Sequence, residues 1–143
     1  MAGAADDEPD DAALWAAFLA LGDVPDDEFD HERAAELVIR LNERGSPQIV
    51  DWAVPLLTDP DPWRRQAAAW ALAQHGSREG RPFATQVLPH LAAAARVERD
   101  ADVRALVVEA IGCSETQSAA PELMRYADDP AAEVRRRVAG TCR

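Results

Sequence analysis

Hydrophobic residues recur at helical spacing along most of the chain. Between about residues 10 and 21 they fall at Leu14, Trp15 and Phe18, and between about residues 31 and 44 they include Leu37 and Leu41. Such spacing places apolar side chains on one face of an α-helix. No segment alternates with a period of two between hairpin turns, so we predict an all-α fold without a sheet.

Turn residues divide this pattern into eight helices. Gly45 and Gly76 are typical helix stops, and Ser46-Pro47 is typical of the start of a helix, which we expect to reach Leu57. We expect another helix to run from Thr116 to Ala127. The helices group into four antiparallel pairs, at about 10–45, 46–76, 77–113 and 115–143. We expect residues 1–9 to form a disordered acidic tail and residues 10–143 to form a single domain, with a polar link at about 77–81.

Three of the second helices share one sequence pattern. Arg65, Arg104 and Arg135 stand near their starts, 39 and 31 residues apart, each after an acidic turn. Self-similarity at this period is typical of stacked helix pairs. Small or apolar residues follow each arginine after three, six and seven positions, and we expect them to pack inward. They are Ala68, Ala71, Leu72, Val107, Ala110, Ile111, Val138, Thr141 and Cys142.

The copy at Arg65 departs from the pattern at two positions. Arg64 occupies the position filled by Val103 in the next copy, so we expect Trp63 to swing in and cover that core position. His75 stands where an aliphatic residue is usual. We expect it to be half-exposed or hydrogen-bonded.

This pattern resembles the HEAT-like repeats shared with phycobilisome-lyase-type proteins. The resemblance covers roughly residues 46–143, and the first pair is divergent, as terminal repeats often are. It implies an α-solenoid (an α-α superhelix, HEAT/armadillo-like) of about four stacked antiparallel helix pairs. It also implies that the repeated arginines form a structural ladder by bonding an acid or a carbonyl in the adjacent turn. The expected members are Arg65, Arg104 and Arg135 with the acids Asp61, Asp102 and Glu133.

In solenoids of this kind the second helices line the concave face, which implies a binding surface. The positions one, five and nine after each arginine should be exposed there. The partner-binding residues expected from this register are Gln66, Trp70, Gln74, Glu109, Cys113 and Arg136, together with Ala105 and Gly140. Trp70 could serve as a binding anchor, or it could fold against a neighbouring first helix.

Charge is distributed unevenly along the chain. The net charge is −11, and the first 32 residues hold 11 acids and no base, whereas 15 acids balance 15 arginines from Arg33 onward. The acidic N-terminal part could act as a solvating segment or could attract a basic partner. The run at 135–137 could be a solvated helix face or a contact for nucleic acid.

Motifs for chemistry are scarce. The three histidines lack metal-ligand spacing, and there is no phosphate loop, nucleophile elbow or calcium loop. We therefore expect no catalytic residue, cofactor or metal. Two cysteines are too few for a disulfide framework, and we expect reduced thiols in a cytoplasmic protein without a membrane span or signal peptide.

These observations favour a non-catalytic protein-protein interaction scaffold or adaptor that binds a protein partner on the concave face. The partner could be basic. One alternative is a nucleic-acid-binding HEAT-like protein, although the near-neutral body and the lack of lysine count against nucleic acid. Another is an accessory subunit of a lyase-type enzyme, for which Cys113 is the thiol worth testing. The last helix has no polar capping repeat after it, so it could self-associate with another subunit, or the chain could be part of a longer repeat array.

Overall fold

Eight α-helices account for most of the described chain. The computed structural model describes residues 9–76, 84–114 and 117–141, and within these ranges there is no β-strand. The helices are α1 (Asp11–Ala20), α2 (His31–Arg44), α3 (Gln48–Ala53), α4 (Pro62–Gly76), α5 (Ala84–Val97), α6 (Ala101–Cys113), α7 (Ala119–Met124) and α8 (Ala132–Thr141). Short 3₁₀ helices lie at Leu21–Asp23, Asp26–Glu28 and Val54–Thr58.

Side-chain caps and a glycine set the ends of the early helices. Asp10 accepts a hydrogen bond from the Ala13 amide at 2.8 Å and so caps α1. Asp30 caps α2 in the same way. Gly45 ends α2 with φ of 64°, a left-handed conformation that costs glycine little.

Two first helices are shorter than predicted. We expected the helix after Pro47 to reach Leu57, but α3 ends at Ala53 and a 3₁₀ helix follows. Pro55 lies in that segment and has no amide hydrogen to continue the α-helical ladder. The helix expected up to Ala127 is α7, which ends at Met124, and the chain continues with bonds between residues three apart.

The helices form two layers, and together they make an α-solenoid. The inner layer consists of α2, α4, α6 and α8, and each of these contacts the next one along the chain. The outer layer consists of α1, α3, α5 and α7, and α3 and α5 pack against α4 and α6. One helix pair cannot bury its apolar face alone, so stacking the pairs creates a continuous core.

The predicted inward positions after each arginine are confirmed wherever the structure describes them. All are at most 5% exposed, and small residues among them let neighbouring inner helices approach closely. They are Ala68, Ala71, Leu72, Val107, Ala110, Ile111 and Val138. Ala105, expected on the concave surface, is instead 1% exposed and belongs to the core.

Several expectations fall outside the described residues. They concern the tail at 1–8, the link at 77–81, the residues 115–116, Cys142 and the side chains of His75 and Thr141.

Trp63 packs on the first helix pair, and its covering of the core position beside Arg64 stays a prediction. Arg64 is exposed, whereas Val103 at the equivalent position is 1% exposed. Trp63 is partly buried and packs against the core, but its contacts are with the first helix pair. Its Nε1 donates to the Leu19 carbonyl at 2.9 Å. A Cβ at Gly22 would lie 1.9 Å from the Trp63 ring, so the close packing there depends on glycine.

Candidate functional site

The repeated arginines bind the turns that precede their helices. In each case Nη1 donates to the carbonyl oxygen six residues earlier. Arg65 reaches Asp59 at 2.9 Å, and Arg104 reaches Glu98 at 3.1 Å. Arg135 makes the same bond to Asp129 at 2.6 Å. This contact fixes the turn within each pair.

Two of these arginines also join one pair to the next. Arg65 Nε donates to the Glu98 carboxylate at 2.8 Å. Arg104 donates through Nε and Nη2 to both oxygens of Asp129, at 2.9 and 2.8 Å. A bidentate arginine–carboxylate pair of this kind has strong geometric specificity. We call Arg65, Arg104, Arg135, Asp59, Glu98 and Asp129 the ladder.

The ladder pairs are largely buried. The Asp129 side chain is 7% exposed and that of Arg104 is 13% exposed. Hydrogen bonding from Arg104 holds the pKa of Asp129 below its usual range, although burial opposes the shift. The carboxylate is therefore ionised at neutral pH, and its bonds to Arg104 link the third helix pair to the fourth.

The acids expected in the ladder have other roles, which corrects the predicted pairing. Asp61 accepts from the Trp63 amide at 3.0 Å at the start of α4. Glu133 pairs with Arg136 and Arg137 of its own helix. Asp102 faces a groove instead. An arginine side chain points back toward the start of its helix, so it reaches the turn six residues earlier and not the nearest acid.

A groove of about 650 Å³ runs across the inner layer and contains four of the predicted binding residues. Residues from α2, α4, α6 and α8 all contribute to its walls. The lining residues are His31, Gln66, Trp70, Asp102, Leu106, Glu109, Glu133, Arg136 and Arg137. The four predicted ones are Gln66, Trp70, Glu109 and Arg136.

The other predicted positions lie outside this lining set. Gln74 and Cys113 each follow a groove residue by one helical turn, so they lie farther along α4 and α6. Gly140 is exposed near the end of α8. A role for Gln74 or Cys113 in binding stays a prediction.

Trp70 packs against the first helix pair and also lines the groove. Its ring packs edge-to-face on Phe18 of α1, with ring centroids 5.8 Å apart. The side chain is partly buried, yet it also lines the groove. Leu106, which the register did not single out, lies in the same groove and is also only partly buried. Together they give the groove an apolar strip.

Charges at the far end of the groove are paired with one another. Arg137 donates to Glu109 at 2.7 Å and to Glu133 at 3.0 Å, and so bridges α6 and α8. Arg136 also pairs with Glu133. Arg136 and Arg137 are thus paired with carboxylates, whereas Arg135 donates to a backbone carbonyl. Within the described residues, the Asp102 carboxylate has no basic partner.

Stacked antiparallel helix pairs with a groove along one layer define an α-solenoid of the repeat-protein class. A family model for HEAT repeats matches residues 26–111, more than half of the chain. The chain therefore belongs to the HEAT-repeat proteins, a family whose members generally serve as protein-interaction scaffolds. No curated protein shows significant sequence similarity to it.

The described ranges hold no cluster of three or more His, Cys, Asp or Glu residues that could bind a metal ion. Among the helices of the described residues, none combines the length and apolar character that a membrane span requires.

Proposed function

We propose that this chain is a non-catalytic protein-interaction scaffold that receives a segment of a partner protein in the inner-layer groove. The observation that carries the proposal is the groove itself. It crosses all four helix pairs, and it combines the apolar strip of Trp70 and Leu106 with polar side chains around it. Aromatic and aliphatic groups at the centre of a polar rim are characteristic of binding hot spots.

The open shape of the groove favours a partner segment over a small metabolite. It is open along the inner layer, and its volume of about 650 Å³ would hold several side chains in a row. A helix or an extended peptide can place such a row of anchors along a groove. The ladder holds the later inner helices at fixed spacing, so little ordering of the scaffold would accompany binding.

The charge of the chain favours a basic partner segment. The acids from Asp10 to Glu32, a stretch that contains no base, give the first pair a negative field, and the Asp102 carboxylate in the groove is unpaired within the described residues. A basic segment would be drawn to this end, whereas the arginines at the other end are already paired with Glu109 and Glu133. Complementary charge of this kind raises association rates more than it raises affinity.

The test places a charge on the apolar strip. Leu106→Glu should reduce partner capture about tenfold or more, because a carboxylate would displace an apolar anchor. Met124→Glu is the matched control, since Met124 lies on the outer layer and is 61% exposed. Proteins captured from the native cell extract by the wild type and both variants would be quantified by mass spectrometry, with circular dichroism as the folding check.

A partner lost with Leu106→Glu and kept with Met124→Glu would support the proposal. Equal capture by all three proteins would contradict it. Trp70→Ala is a poorer test, because Trp70 also packs on Phe18 and its loss would mix binding with stability. Self-association through α8 stays a prediction, which the solution mass of the protein would test.

A further inference from the structure

A second cavity, of about 380 Å³, adjoins the groove at the end nearest the first helix pair. His31 and Gln66 line both spaces, so a segment in the groove could reach into it. The cavity combines three aromatic rings with two carboxylates, and the described residues that line it include no lysine or arginine. The lining residues are Gly22, Val24, Asp26, Phe29, His31, Pro62, Trp63, Gln66 and Asp100. We call it the aromatic pocket.

The rings of the aromatic pocket hold one another in place. Phe29 packs edge-to-face on Trp63 and on His31, with centroids 4.8 Å apart in both cases. Trp63 is fixed in turn by its hydrogen bond to the Leu19 carbonyl at 2.9 Å. Phe29 and Trp63 are the rings of this set whose electron-rich faces attract a cation, and their mutual packing holds them in position before a ligand arrives.

The carboxylates add to that attraction. Asp100 is held by accepting from the Asp102 amide at 2.9 Å, where it caps α6. Asp26 is exposed, and within the described part of the chain its carboxylate has no partner. The Asp100 carboxylate is therefore fixed in position, and the Asp26 carboxylate can turn toward a ligand.

Helix ends at this site reduce the negative charge but do not cancel it. The starts of α2, α4 and α6 lie around the pocket, and each helix start carries about half a positive charge. Arg64 offsets the charge of Asp61 through an ion pair at 3.9 Å. The helix-start sum of about 1.5 is still smaller than the three negative charges that remain among the four carboxylates that cap these helices or line the pocket. Those carboxylates are Asp26, Asp30, Asp61 and Asp100.

We propose that the aromatic pocket binds an arginine side chain of the partner segment that occupies the groove. A guanidinium is planar, so it can stack on a ring face while it donates hydrogen bonds to carboxylates at its edge. The source of the arginine rests on the proposed function. The preference of the pocket for a guanidinium does not, and it can be measured alone.

The test uses a small probe and a neutral copy of it. N-acetyl-arginine-methylamide would be titrated into the ¹⁵N-labelled protein, and N-acetyl-citrulline-methylamide, which has nearly the same shape but no charge, would be the control. We expect saturable shifts of the Trp63 indole signal with the arginine probe. Citrulline should bind about fivefold more weakly, because it lacks the attraction of a cation to rings and carboxylates.

Neighbouring acids provide matched variants. Asp26→Asn should weaken arginine binding about threefold, whereas Asp27→Asn, with the same charge change one residue away and outside the lining, should have a smaller effect. Equal binding of citrulline, or no shift of the Trp63 signal with either probe, would overturn the inference. Equal effects of the two variants would also overturn it, since they would indicate a general field and not a site.

Leu106→Glu separates this inference from the proposed function. It should leave the arginine probe's affinity unchanged, because Leu106 does not line the aromatic pocket. If Leu106→Glu loses the partner but the wild type does not bind the arginine probe, the inference about the aromatic pocket fails and the groove proposal stands. Probe binding with full partner capture by Leu106→Glu would defeat the groove proposal and leave the guanidinium site standing.

Discussion

The interface between the first and second helix pairs differs from those that follow it. The later pairs are joined by buried arginine–carboxylate bonds and small aliphatic residues. The first pair is joined to the second by rings, with Phe18 against Trp63 and Trp70 at centroid distances of 5.5 and 5.8 Å. Repeats can thus keep one stacking geometry with different chemistry. The aromatic pocket lies where the repeat pattern is weakest.

Asp59 shows where the ladder stops. It occupies the position that Glu98 and Asp129 hold in the later pairs, and its side chain likewise accepts from the amide two residues on, at 2.8 Å. Within the described residues, no arginine of the first pair reaches its carboxylate. Aromatic packing therefore takes over the joining role at this interface.

The largest expected effect is at the centre of the aromatic interface. Phe18 is fully buried and contacts three tryptophans, so Phe18→Ala should lower the free energy of unfolding by about 4 kcal/mol. Urea denaturation would measure it, with Met124→Ala as a control at an exposed apolar residue. A loss no larger than the control's would mean that ring packing does not hold the first pair.

The second-largest loss of unfolding free energy is expected for a substitution in the ladder. Arg104→Ala leaves the Asp129 charge buried and unpaired, so we expect a loss of about 3 kcal/mol. Arg125→Ala is the control, since its side chain is 55% exposed and its pair with Glu122 should contribute less than about 1 kcal/mol. Similar losses for the two variants would contradict a structural role for the ladder.

Two glycines give a matched test with opposite signs. Gly22→Ala would force Trp63 to move and should cost about 2 kcal/mol. Gly140→Ala has open space around the new Cβ in α8 and should stabilise the protein by about 0.5 kcal/mol. Thermal unfolding of both variants would check the signs. Stabilisation by Gly22→Ala would show that the Trp63 contact is not tight.

A further expected effect depends on pH. The bond from Arg104 lowers the pKa of Asp129 in the folded protein, so its contribution is present above the unfolded pKa of about 3.9 and is lost as the pH falls through the lowered value. Asp129→Asn should cost about 1.5 kcal/mol at pH 7. The difference in free energy of unfolding between the wild type and Asp129→Asn should be the same at pH 5 as at pH 7, and it should be smaller at pH 3. A gap as wide at pH 3 as at pH 7 would contradict this assignment.

Much of the fold was predictable because helical periodicity and repeated arginines are local signals. The inward positions, such as Ala68 and Val107, follow from the register of each copy. The ladder acids were missed although Asp59, Glu98 and Asp129 have the same spacings as the arginines. The prediction chose the acid nearest each arginine, whereas the side chain reaches back to the preceding turn.

The candidate site was predictable only in part. Gln66, Trp70, Glu109 and Arg136 follow from the solenoid register. The aromatic pocket could not be predicted, because it depends on contacts of the divergent first pair. Trp63 and the Leu19 carbonyl are 44 residues apart, and no periodic pattern links them.

The central claim, that the inner-layer groove is the protein-binding face, is tested most directly by mapping a bound peptide. A peptide selected from a random display library would be titrated into the ¹⁵N-labelled protein, and amide and indole shifts would be recorded. The account predicts saturable shifts clustered on Gln66, Trp70 and Leu106, across α4 and α6. Shifts confined to the outer layer, on α5 and α7, would contradict it.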